Sequence, residues 1–170
     1  EIIGNLIITF ETKEQLQNAV DLWCSNRQEA IKEYKDISTW DTSLITDMRQ
    51  LFFGKINFND DISNWNVSNV RDMSYMFFSA NSFNQPLNNW NVSNVIDMSS
   101  MFAGAESFNQ PLNNWDVSNV KMMMAMFDSA RSFNQPLDNW DVSNVTDMQS
   151  MFEDAERFNQ DLNNWNVSNV

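Results

Sequence analysis

Apolar residues in this chain return in fixed columns. Leu87, Trp90, Val92, Val95, Met98, Met101, Phe102, Ala105 and Phe108 form one set, and equivalent sets recur along the sequence. The tryptophans show the period most plainly. After Trp23 they fall at Trp40, Trp65, Trp90, Trp115, Trp140 and Trp165, each 25 residues from the last. Self-similarity at such a period marks a stacked repeat architecture, in which no unit buries its apolar face alone. Polar columns keep the same register: Asn59, Asn84, Asn109, Asn134 and Asn159 each follow a phenylalanine. Other positions vary from unit to unit, as at Arg71, Ile96, Lys121 and Thr146.

Within a unit, the Trp-x-Val alternation predicts a short strand with one buried face. Val95, Met98, Met101 and Ala105 lie three or four apart, which predicts a helix of one or two turns. Asp97 is placed to cap that helix through the amides of Ser99 and Ser100. Pro86, Pro111 and Pro136 fall at the bend that follows, where no ladder hydrogen bond is lost. The expected fold class is an α/β repeat solenoid with short parallel strands, about 4.8 Å apart, and short helical turns. Residues 37–170 would hold about five to six of the 25-residue repeats.

Residues 1–36 depart from the repeat and read as a capping segment for the open end of the core. Ile2 to Phe10 predicts a strand. Thr12 to Cys24 predicts a helix, with Thr12 and Gln15 spaced as a capping box. A second helix is predicted over Arg27 to Tyr34, capped by Asn26 with Glu29. The chain opens on Glu1 and stops at Val170 inside a repeat, which reads as a fragment truncated at the C-terminal end.

Charge narrows the partners. The net charge is -13 and the pI about 4.1. Such a surface repels phosphate backbones and anionic lipid, so neither nucleic acid nor a membrane surface is an expected partner. No apolar run is long enough to span a bilayer, so no direct membrane insertion is expected. There is no histidine and one cysteine, Cys24, which rules out an imidazole or thiolate zinc site and an internal disulfide.

Acid–base chemistry would fall to carboxylates, but these come in columns, one per unit. Residues that repeat one role in every unit are structural more often than catalytic, so no enzyme activity and no cofactor are expected. The column Asp47, Asp72, Asp97 and Asp147 has two readings, a calcium ladder or helix caps. Met122 interrupts it in mid-array. A metal ladder would lose a ligand there, whereas a cap would lose only about 1 kcal/mol. Capping is the preferred reading, with no metal site. The asparagines after phenylalanine predict an interior ladder bonded to the backbone of the next unit. The tryptophan column reads as core, or as an exposed aromatic strip for sugars if the register slips by one.

If Trp and Val point inward, their neighbours point outward. Asn64, Asn66, Asn89, Asn91, Asn114, Asp116, Asn139, Asp141, Asn164 and Asn166 then form the candidate binding face. A uniform strip of amides and carboxylates suits a periodic ligand such as a glycan, or self-assembly. A protein partner would be read at the variable positions. The sequons at Asn66, Asn91, Asn144 and Asn166 are by-products of the repeat.

The phrases FNQPLNNWNVSNVIDMSSMF and FNQPLDNWDVSNVTDMQSMF closely resemble the repeat of the BspA-like leucine-rich-repeat surface proteins, in particular their mycoplasma-type, lipoprotein-associated branch. The likeness covers about Ile37 to Val170. It implies a leucine-rich-repeat-like, right-handed coil and an extracellular, cell-surface or particle-surface setting. It also implies adhesin-like binding of a protein or glycan, with no catalytic residues to carry over. The stretch from Ala19 to Met48 resembles the lead-in of repeat proteins from protists and large DNA viruses. The expected function is thus a non-enzymatic, surface-exposed binding or adhesion module. The alternative is a self-assembling structural element of a fibre, coat or stalk.

Overall fold

The computed structural model describes residues 6–170. Helix α1 spans Lys13–Ser25 and helix α2 spans Arg27–Tyr34, followed by a single 3-10 turn at Ile37–Thr39. Both helices start where the sequence signals place them. The Thr12 side chain accepts the Gln15 amide, the Gln15 side chain returns a bond to the Glu11 amide, and the Asn26 side chain accepts the Glu29 amide. Leu16, Ala19, Val20 and Trp23 form the buried stripe of α1. Of the strand predicted over Ile2 to Phe10, residues 1–5 lie outside the described residues. The rest pairs only through an isolated bridge between Thr9 and Asp41.

From Trp40 onward the chain winds in 25-residue coils stacked in register. The α/β solenoid expected from the sequence is not what forms, and neither is a leucine-rich-repeat-like ladder of parallel strands. Among the described residues there is no β-strand, only isolated parallel bridges joining Asp47, Asp72, Asp97, Met122 and Asp147 in turn. No helix lies beyond Thr39.

The physical reasons are local. The Trp-x-Val alternation is real in burial, since Trp90 and Val92 are buried and Asn91 is exposed. The chain then turns at once: Asn91 Oδ1 accepts the Ser93 amide and Val95 N–H bonds Val92 C=O. Three residues are too few to carry a ladder. The spacing of Val95, Met98, Met101 and Ala105 is likewise real in burial, but two left-handed corners per coil break any helix. In one coil these are Ser100 at φ 53 and Gly104 at φ 69. Met98, Ser100, Phe102 and Gly104 send their N–H groups to carbonyls of the next coil, at 2.8–2.9 Å. Met101, Ala103 and Ala105, each one place further on than Ser100, Phe102 and Gly104, bond back three residues. Backbone groups are thereby satisfied without regular secondary structure.

Aromatic columns run through the core. Phe52, Phe77, Phe102, Phe127 and Phe152 stack with ring centroids 5.4–5.6 Å apart. Phe58, Phe83, Phe108, Phe133 and Phe158 stack at 5.7–6.0 Å. Each indole N–H reaches back to the preceding coil: Trp65 to Ile37 C=O, Trp90 to Ile62, Trp115 to Leu87, Trp140 to Leu112 and Trp165 to Leu137, at 2.9–3.1 Å. Trp40 through Trp140 are no more than 4% exposed. The aromatic-strip reading is therefore overturned, because a buried polar N–H that has found a partner has no reason to face water.

The helices pack against the first coil. Asp60 accepts both the Trp23 indole N–H at 3.0 Å and the Arg27 guanidinium at 2.7 Å, and that guanidinium lies 4.5 Å over the Trp23 ring. Lys55 pairs with Asp21 at 2.9 Å, and Gln17 donates to Leu51 C=O. Phe10, Tyr34, Trp23 and Trp40 gather behind these contacts.

Candidate functional site

The ten residues read as a binding face are all exposed. They form two columns on either side of the buried tryptophans. In the column after tryptophan, an Oδ1 accepts the amide two residues on: Asn66 from Ser68, Asn91 from Ser93, Asp116 from Ser118, Asp141 from Ser143 and Asn166 from Ser168, all at 3.0–3.1 Å. Each such side chain is held in one rotamer by a local turn. The hydroxyl and amide of Ser143 hold the Asp141 carboxyl below the usual carboxylate range, and those of Ser43 do the same for Asp41. The column before tryptophan is different. The side chains of Asn64, Asn89, Asn114, Asn139 and Asn164 make no hydrogen bond among the described residues. The strip therefore alternates fixed acceptors with free amides.

Two amide ladders run from coil to coil. Asn69, Asn94, Asn119, Asn144 and Asn169 donate from Nδ2 to the Ser43, Ser68, Ser93, Ser118 and Ser143 carbonyls at 2.6–2.7 Å. Sequence reasoning gave this column no role, although its recurrence in Val-Ser-Asn-Val was visible. The other ladder was expected: Asn59, Asn84, Asn109 and Asn134 each accept the amide of their counterpart in the next coil at 2.9–3.0 Å. It runs along the outside of the stack instead of its interior, since Asn59, Asn109, Asn134 and Asn159 are exposed.

The aspartate column does not cap helices. Asp47, Asp72, Asp97 and Asp147 each accept the amide two residues on, at 2.8–2.9 Å, within a turn. Met122 lacks that bond yet keeps the backbone bridges to Asp97 and Asp147, so the main chain holds this column together. Among the described residues no three His, Cys, Asp or Glu side chains gather where they could hold a metal ion. At the junction of helix and coil, Asp21, Cys24, Arg27, Lys55 and Phe58 line a cavity of about 260 Å³. Partial burial of its thiol pushes the Cys24 pKa up while the nearby Lys55 ammonium pulls it down, so the net effect disfavours the nucleophilic thiolate.

A strandless stack of 25-residue coils, bonded coil to coil through backbone and amide ladders and carrying one uniform polar strip, defines a repeat protein whose units share a single register. The chain belongs to the family described as "Mycoplasma protein of unknown function, DUF285", which matches residues 22–132 and 89–170. No curated protein and no solved structure matches it.

Proposed function

We propose that this chain is a non-enzymatic recognition module, displayed on a cell or particle surface, that binds a glycan or protein along the strip from Asn64 to Asn166. One observation carries the reading: all ten strip residues are exposed at a fixed register while Trp65, Trp90, Trp115 and Trp140 beside them are buried. Half of the strip side chains are already locked by serine amides, so a ligand would order few rotamers on binding. The other half present unengaged amides, which both donate and accept, as sugar hydroxyls require. The surface setting draws on the resemblance of the repeat phrases to those of BspA-like surface proteins.

The test is a glycan array probed with the chain, followed by titration of any hit. Saturable binding by a monomer is expected. An Asn89→Ala/Asn114→Ala double variant should weaken it about tenfold, the loss of roughly one or two net hydrogen bonds, with unchanged unfolding. Binding that survives this variant would remove the strip from the reading.

A second reading, a self-assembling structural element, draws on the near-identity of the coils. Concentration-dependent assembly without any saturable ligand would favour it.

A further inference from the structure

Beside the polar strip, the variable column Thr46, Arg71, Ile96, Lys121 and Thr146 runs along the stack. Its members are fixed to one another by N–H to C=O bonds of 2.8–2.9 Å between successive coils. All five are exposed. Arg71, Asn94, Ile96, Asn119 and Lys121 line a shallow groove of about 220 Å³. Neither Arg71 nor Lys121 forms an ion pair among the described residues, in a chain with a net charge of -13. Two cations thus stand two coils apart, on either side of Ile96, in a chain that is acidic overall. Asn94 and Asn119 spend their N–H on the Ser68 and Ser93 carbonyls, which leaves their carbonyl oxygens as acceptors for hydroxyls.

The next position makes the charge pattern sharper. Thr46, Arg71, Ile96 and Thr146 are each followed by an aspartate, whereas Lys121 is followed by Met122. The coil that carries Lys121 has lost the carboxylate that would offset it. The bridges through Met122 show that the stack forms without that aspartate, so its replacement acts on charge and leaves the fold intact.

We propose that this groove binds acidic groups, carboxylate or sulfate, of an anionic oligosaccharide. Arg71 and Lys121 would take two acidic groups, with the sugar lying over Ile96 and its hydroxyls on Asn94 and Asn119. The idea rests on the glycan form of the recognition reading and names the ligand's chemistry.

The experiment titrates the chain with three oligosaccharides of equal length: a uronic-acid oligomer, a sulfated oligomer and a neutral oligomer, with oligoglutamate alongside. One or both acidic sugars should bind at least about tenfold more tightly than the neutral one, since charge-assisted hydrogen bonds exceed neutral ones. Which of them binds identifies the acid. Arg71→Ala and Lys121→Ala should each cost about tenfold. Met122→Asp, which restores the residue found in the neighbouring coils, should weaken binding without altering the unfolding transition. Equal binding of neutral and acidic sugars, lost only in Asn89→Ala/Asn114→Ala, would overturn this groove and keep the strip. Acidic-sugar binding indifferent to all three groove variants would overturn it too, as would oligoglutamate binding as tightly as the sugars. No binding of any sugar would remove both the groove and the glycan form of the recognition reading.

Discussion

Ala125 sits at φ 53, in the left-handed region where a Cβ crowds the following carbonyl. Gln50, Tyr75, Ser100 and Ser150 share its place in the other coils. Replacing Ala125 by glycine relieves that strain while adding unfolded-state entropy, so a net gain of roughly 0.5–1 kcal/mol is expected in urea melts. The converse holds at Gly104, at φ 69, where a Cβ would lie 3.2 Å from Ser79 Oγ. Gly104→Ala should cost more than about 1 kcal/mol. A gain for Gly104→Ala would contradict the left-handed corner. These corners were not legible in the sequence. Glycine marks them only at Gly54 and Gly104, and serine, alanine, glutamine, tyrosine or aspartate fills the rest. Burial, by contrast, was legible residue by residue: Leu87, Trp90, Val92, Val95, Met98, Met101, Phe102, Ala105 and Phe108 are all buried, as their recurrence implied.

At the scale of elements, α1 and α2 were legible because caps and apolar stripe agree. Thr12, Asn26 and the Leu16–Trp23 stripe all point to the same boundaries. The coils were not, because their short apolar spacings fit two periodicities while the hydrogen bonds follow neither. An N–H that could close a helical turn goes instead to the next coil, and only the stacked structure supplies that acceptor. Asp60, in register with Gln85, ties the helices to the first coil through the Trp23 indole and the Arg27 guanidinium. Removing it leaves the Trp23 indole N–H unpaired, so Asp60→Ala should cost about 1–3 kcal/mol and red-shift part of the tryptophan emission. An unchanged melt would mean that apolar packing, the Lys55–Asp21 pair and the Gln17 bond to Leu51 hold the helices without Asp60. Trp115→Phe removes the indole bond to Leu87 C=O, which keeps its bond from the Trp90 amide, and opens space in the core; the lost bond and the cavity together should cost about 1–3 kcal/mol.

For the molecule as a whole, stability is shared between neighbouring coils, and its pH dependence has a sign. Hydroxyl and amide bonds from Ser43, Ser63 and Ser143 hold Asp41, Asp61 and Asp141 below their ordinary value near 3.8. A carboxyl with a depressed folded-state pKa stabilises fully above its unfolded pKa and loses that contribution as pH falls through the folded value. Urea melts from roughly pH 6 to pH 3 should therefore show stability falling at the acid end, as protonation turns charge-assisted bonds in these turns into weaker neutral ones. A flat profile would contradict the fixed turns beside the strip. The candidate strip was legible because it is the complement of the buried columns. The groove at Arg71 and Lys121 was not, since it depends on which varying residues the 25-residue register brings side by side.

The claim beneath the whole account is that the tryptophan column is core and the strip beside it is the free surface. Steady-state tryptophan emission with acrylamide quenching tests it directly. Blue-shifted emission is expected, resistant to quencher apart from a minor accessible fraction from the half-buried Trp165. Red-shifted, readily quenched emission would place the indoles at the surface and contradict both the coil stack and the binding face derived from it.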